Sequence, residues 1–144
     1  LTYREGPALV KAMDSLPMTP DVLLVPAAGV DHPRGIGMAR HIGYLLSIPT
    51  VGVTRRPLGD GGYTGENDRP NGPYDRKPSC FAFSPGPGRA GIFISRGWRT
   101  DDSTSRKIVQ LSMRDHRMPE PIHIAKTICR GFSKVDGFRF CNEG

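Results

Sequence analysis

Asp31, His32 and Arg34 follow one another inside a loop of small residues, Pro26-Ala-Ala-Gly-Val-Asp-His-Pro-Arg-Gly35, and bring an acid, an imidazole and a guanidinium within four positions. Elsewhere the reactive side chains are scattered. Asp102 and Ser103 would suit a hydrolase only with a suitably spaced His, and without one the pair reads as a helix cap. His116, between Asp115 and Arg117, reads as a surface residue, and His41 and His123 sit in helical stretches with no motif around them. Cys80, Cys129 and Cys141 are odd in number and lack CxxC spacing. They signal neither a disulfide framework nor a zinc cluster, and a reducing cytoplasm is the expected setting.

Charge narrows the partner class. The chain has 20 Lys+Arg against 14 Asp+Glu, a formal charge of +6 spread over Arg34, Arg40, Arg55, Arg56, Arg96, Arg99, Arg106, Lys107 and Arg114. Such a chain collects phosphate polyanions by counterion release, so nucleic acid leads the list of partners, although the same excess also serves solubility. At 144 residues one domain, 1–144, is expected, and its length suffices for an ordinary core. No run approaches the roughly 18–20 apolar residues that cross a bilayer. The opening Leu-Thr-Tyr-Arg-Glu-Gly has no apolar signal-peptide core, and a start at Leu1 in place of Met predicts a longer reading frame.

The elements that must position these residues follow from periodicity. Leu9, Val10, Met13 and Leu16 form a helical stripe opening at Gly6-Pro7. Asp21–Val25 and Thr50–Val53 are short continuous apolar runs, the habit of buried strands, and Ile36, Ala39, Ile42, Gly43 and Leu46 mark a helix between them. Strand, helix, strand with short connections is a crossover unit with parallel strands. Residues 57–79, rich in Gly, Pro, Asn and Asp, read as an exposed irregular loop. Cys80–Phe83 and Ile92–Ile94 look antiparallel across Pro85–Gly88. Asp101 to Ser103 can cap a helix carrying Ile108, Val109, Leu111 and Met113, and Pro119-Glu120-Pro121 opens another with Ile124, Ala125, Ile128, Cys129 and Phe132 on one face.

Three segments together resemble the endonuclease V family. Leu1-Thr-Tyr-Arg-Glu-Gly-Pro-Ala-Leu9 is similar to its FREGPAL element. Asp21 to Val53 follows the family order of strand, GVDHPR loop, GMARHIGYLLSIPT and VGV. Arg96-Gly-Trp-Arg99, Asp102-Ser103 and Arg117-Met-Pro-Glu-Pro121 are similar to its GHR, DS and RLPEP signatures. The resemblance covers about two thirds of the chain and leaves 57–79 unmatched. It implies an α/β fold, a ribonuclease-H-like three-layer α/β/α architecture with a mixed sheet, here without the family's N-terminal strands. It also implies a repair nuclease in which Mg²⁺ activates a water to attack a phosphodiester near a deaminated purine, usually inosine, in DNA or RNA.

Carried over residue by residue, the resemblance places Glu5 at a metal-binding glutamate and puts Pro26 where the family has a second, aspartate ligand. A third ligand comes from a strand that would precede Leu1. Asp31, five residues past Pro26, is either a substitute ligand beside Glu5 or a turn residue. Gly29, His32 and Arg34 match the nucleic-acid-contacting loop, and Gly29 lets the backbone approach a base or phosphate closely. Arg55 falls at the family's catalytic lysine and would contact the scissile phosphate, as a planar guanidinium in place of a point charge. Trp98 replaces a histidine; it either stacks on an extruded base or belongs to the core. Two functions stay open: a nuclease acting on inosine-containing strands, and a non-catalytic nucleic-acid-binding relative. The strand at Val22–Val25 would normally pair with the absent first strand, so its edge invites association with another chain.

Overall fold

The computed structural model describes residues 2–32, 35–56, 80–84, 86 and 90–135. The 57–79 loop, the Pro85–Gly88 turn apart from Gly86, Arg34 and Cys141 lie outside the described residues. Helix α1 (Thr2–Asp14) is followed by β1 (Leu23–Val25), α2 (Met38–Leu46), β2 (Thr50–Thr54), β3 (Phe81–Phe83), β4 (Ile92–Arg96), α3 (Asp102–Ser112) and α4 (Glu120–Val135). Among the described residues, no helix is long and apolar enough to cross a membrane.

The strands make one mixed sheet in the order β1-β2-β4-β3. β1 and β2 run parallel, with Leu24 opposite Val51. β4 is antiparallel to both β2 and β3, with Ile94 opposite Val53 on one side and Phe81 on the other. Within this sheet β1 is an edge strand.

Side-chain alternation along the strands sorts the two faces. Val51, Val53, Ile92 and Ile94 are buried on one face against Val109 of α3, Met118, and Ile122 of α4. Leu23, Val25 and Ala27 pack on the other face with Met38 and Ala39 of α2, and α1 lies against α2. Helices therefore cover both faces, giving the three layers that the family resemblance implies.

Two elements differ from the sequence expectation. α1 begins a turn before Pro7 and includes Glu5 in its first turn, where a carboxylate suits the positive end of the helix dipole. A proline this near the amino end forfeits only one intrahelical bond, so it does not have to open the helix. In α4 the predicted stripe faces outward, with Ile124 48% and Ile128 53% exposed, whereas Ile122 is 4% exposed. The helix enters from buried Met118 and Pro119, which sets its phase two residues away from the stripe. Two residues are about 200° around a 3.6-residue helix.

The cap at α3 is as expected. Asp101 accepts a 2.7 Å hydrogen bond from the Thr104 amide, and the Ser103 hydroxyl donates to the same carboxylate at 2.9 Å. Asp101 and Ser103 thus serve the helix start, whereas Asp102 meets Arg96 at 3.5 Å.

Candidate nucleic-acid interface

The loop leaves β1 at Val25, crosses the sheet above β2 and reaches β4 before α2 begins. That path depends on Gly52. A Cβ built there would come 2.5 Å from the Ala27 carbonyl oxygen, 2.6 Å from Ser95 Oγ and 2.8 Å from the Gly29 nitrogen. Gly29 is equally constrained, because its own Cβ would run into the Arg96 carbonyl.

Four hydrogen bonds fix the crossing. The Gly29 amide is shared between Asp31 Oδ1 and Ser95 Oγ, each at 2.8 Å. Val30 donates to the Arg96 carbonyl at 3.0 Å, and Ala27 donates back to Val25 at 2.7 Å. The far end of the loop is tied to the helix it feeds: Gly37 donates to the Gly29 carbonyl at 2.7 Å and Ala39 to the Ala28 carbonyl at 3.0 Å. Two amides at the amino end of α2 are therefore satisfied by the loop's own carbonyls, in place of the side-chain cap that Gly37 cannot provide. Gly35, at φ 70°, holds a left-handed turn closed by its 2.7 Å bond to the His32 carbonyl. The result is a small-residue stretch, Ala27–Val30, fastened over β2 and β4 just past the carboxyl end of β1, and α/β sheets bind ligands outside such strand ends.

Asp31 acts inside this loop. It is 8% exposed. One carboxylate oxygen holds Gly29, and the other, Oδ2, is buried without a hydrogen-bond partner among the described residues. His32 is half-buried beside it. Glu5 is half-buried on α1. Among the described residues no group of three His, Cys, Asp or Glu could hold a metal ion. Glu5 and Asp31 alone do not make the oxygen cage that a hard divalent cation needs. The described donors thus do not fit the metal that the family resemblance implies.

Cys80 is buried at the start of β3. Burial and, after it, the negative charge of Asp31 push its thiol up to about 11. At pH 8 only about one Cys80 in a thousand is then thiolate. Iodoacetamide is accordingly expected to modify exposed Cys129 well before Cys80, as peptide mass mapping over time would show; equal rates would contradict the buried placement. The sign for stability follows: the unfolded thiol ionises near 9 and the folded one near 11, so this contribution is intact below pH 9 and is lost as pH rises through 11.

The remaining predicted residues separate. Arg55 is exposed just past β2. It lines a cleft of about 250 Å³ on the α3/α4 side of the sheet with His116, Arg117, His123, Lys126 and Arg130. It is thus grouped with the α4 cations and not with the Gly29–His32 loop, which crosses the opposite face. Lys126 and Arg130 were missed at the sequence level. Their signal was an i, i+4 pair of cations one turn beyond His123, hidden by the attention that the apolar stripe draws. Trp98 is half-buried at the Thr50 end of β2, where it meets Tyr44 edge-on at 5.1 Å between ring centres.

Comparison with known proteins gives this geometry a family. A family model described as Endonuclease V matches residues 1–127. Endonuclease V of Dictyoglomus thermophilum is 32% identical over 130 residues, spanning 87% of this chain and 56% of that protein. The Thermus thermophilus enzyme of the same name is 32% identical over 138 residues, with 87% and 58% covered. The chain therefore spans little more than half the length of these relatives. The structure of Streptomyces avermitilis endonuclease V superposes with a TM-score of 0.77 at 28% identity, over 96% of this chain and 62% of that one. The catalytic domain of human endonuclease V gives 0.81 at 26%, over 96% and 65%. Ciona intestinalis endonuclease V, in complex with a 23-mer DNA containing an inosine, shares the fold with a TM-score of 0.67 at 23% identity, over 92% and 61%. By the extent of the family match and the agreement in fold, this chain belongs to the endonuclease V family.

Proposed function

We propose that this chain is an endonuclease V homologue that recognises deaminated purines, inosine foremost, in DNA or RNA, and that family chemistry directed at a nearby phosphodiester is its activity. The observation that supports this proposal is the stretch Ala27–His32, which Ser95, Arg96 and Asp31 fasten just past the carboxyl end of β1. Gly29 and His32, with Arg34 in the same segment, would contact the strand, and the basic balance of the chain would bring the strand in. The inosine complex of the Ciona relative supports this choice of ligand.

A second function, binding without metal-dependent cutting, is favoured by one specific observation. Asp31, the candidate in the same loop to replace the acid missing at Pro26, already spends one oxygen on the Gly29 amide, and Asp21 stands at the opposite end of the strand. No step through a metal follows from the donors present. An inosine-containing duplex with and without Mg²⁺, against a guanine control, separates the two functions. Mg²⁺-dependent cutting near inosine that disappears in Glu5→Ala supports the nuclease. Preferential binding of the inosine strand with no cutting supports the binding protein. Equal affinity for both strands with no cutting would overturn the proposal.

A further inference from the structure

We propose that the cleft between Arg55, the turn at His116–Met118 and helix α4 is a binding site for a phosphoryl group, gripped by Arg55, Lys126 and Arg130. Among the described residues its lining holds four cationic side chains and no carboxylate. One of these, Arg117, is already committed: its guanidinium donates to the carbonyls of Ala90, Gly91 and Arg55 at 3.1, 2.8 and 3.4 Å. It works as a strut that fixes the Arg55 backbone against the β4 entry. Arg55, Lys126 and Arg130 remain, and none of them has a carboxylate partner among the described residues.

Like charges in one cleft repel, and the protein carries that cost in the folded state. Lys126 shows it: partial burial, then the charges of Arg55 and Arg130, hold its ammonium below the usual lysine range. A bound anion would offset the repulsion from both guanidinium groups at once. The opposite wall is an imidazole pair, His116 and His123, stacked with ring centres 3.5 Å apart and planes at 10°. Glu120 is the neighbouring acid, 3.7 Å from His116 Nε2, and it engages the histidine and not the three cations. Two guanidinium forks and an ammonium converging on one small cleft match the spread charge of a tetrahedral phosphoryl group better than that of a single carboxylate. The cleft lies across the sheet from the Gly29 loop, so it is a second contact and not part of that interface.

The phosphoryl group can come from a nucleic-acid backbone or from free phosphate. The backbone source rests on the nucleic-acid function proposed above, whereas affinity for phosphate itself does not. The test follows the His116 and His123 ring resonances of the full chain by NMR during titration with inorganic phosphate against chloride at matched ionic strength. In parallel, oligonucleotide affinity is measured against salt for the parent and for Lys126→Ala/Arg130→Ala. Lys126 is half-buried and Arg130 exposed, and circular dichroism checks the fold; Lys126→Arg keeps the charge and is the positive control.

Saturable phosphate-specific shifts that vanish in the double variant and persist in Lys126→Arg are expected. If the salt slope of oligonucleotide binding also falls by about two, equally for inosine and guanine strands, the backbone is the source. Shifts with an unchanged slope identify free phosphate as the source. Ring resonances that do not respond to phosphate, with oligonucleotide binding unaltered in the double variant, would overturn the proposal. Loss of inosine preference alone would count against the proposed function and leave this site standing.

Discussion

Gly52→Ala is expected to lower the unfolding free energy by about 3–5 kcal/mol and to abolish selective binding by the Gly29 loop. On backbone grounds alone the substitution should help, because Gly52 lies in β2 without a positive φ and alanine restricts the unfolded chain, worth about 0.4–1 kcal/mol. The overlap is larger. The new methyl would sit 2.5 Å from the Ala27 carbonyl and 2.8 Å from the Gly29 nitrogen, and both belong to backbone that cannot rotate out of the way as a side chain could. The loop must lift, and in lifting it surrenders the 2.8 Å bond from Gly29 to Ser95 and the 3.0 Å bond from Val30 to Arg96. Each is worth roughly 1 kcal/mol, on top of the packing strain.

A control isolates the cause. At Gly91 an added Cβ would meet only the Phe83 carbonyl, at an ordinary 3.5 Å, so Gly91→Ala is expected to change stability by less than about 1 kcal/mol. Urea unfolding of the two variants side by side decides the matter. A Gly52→Ala midpoint within error of the parent would mean that the loop does not cross β2 as described.

The ease with which parts of this molecule can be read from sequence tracks how local their causes are. The runs at Val22–Val25 and Thr50–Val53 identify parallel strands because burial on both faces leaves a continuous apolar signature, and Asp101 announces α3 because a cap needs only its own next three residues. The loop at 26–35 is also legible, through its small residues. What fastens it is not: Ser95, 66 positions away from Gly29, carries no mark in the sequence of its hydrogen bond. The choice between ligand and turn residue for Asp31 turns on the same kind of fact, since only the fold shows that its Oδ1 faces Gly29. In α4 the apolar stripe points to the wrong face, because the phase of a helix is set where it enters the core, at Met118 and Ile122, and the cations that line the cleft read as ordinary surface charge.

Thr50→Val is expected to destabilise the chain by about 2–3 kcal/mol although it preserves shape, and its effect should be reported by the single tryptophan. Thr50 is fully buried in the central strand and works as a junction. Its hydroxyl donates to the Ala39 carbonyl of α2 at 2.7 Å and accepts from the Trp98 amide at 2.8 Å, so one oxygen ties the helix on one face to the turn that leaves β4. Valine supplies the same volume without the hydroxyl, and the Trp98 amide is left without that acceptor in a half-buried position. The main-chain bonds of Thr50 survive: its amide donates to the Trp98 carbonyl at 2.9 Å, and its carbonyl accepts from the Gly97 amide at 3.1 Å and the Thr100 hydroxyl at 2.7 Å, which keeps the strand in place and confines the damage to the turn. Trp98 should loosen from its edge-on contact with Tyr44, and its emission should shift to the red. Thr50→Ser separates the two contributions: it keeps both hydroxyl bonds and deletes one methyl, a loss of about 1 kcal/mol, with emission unchanged. If valine proves as stable as serine or leaves the tryptophan spectrum where it was, the hydroxyl does not join helix and turn, and the tethering of α2 must come from packing around Gly43 and Trp98 alone.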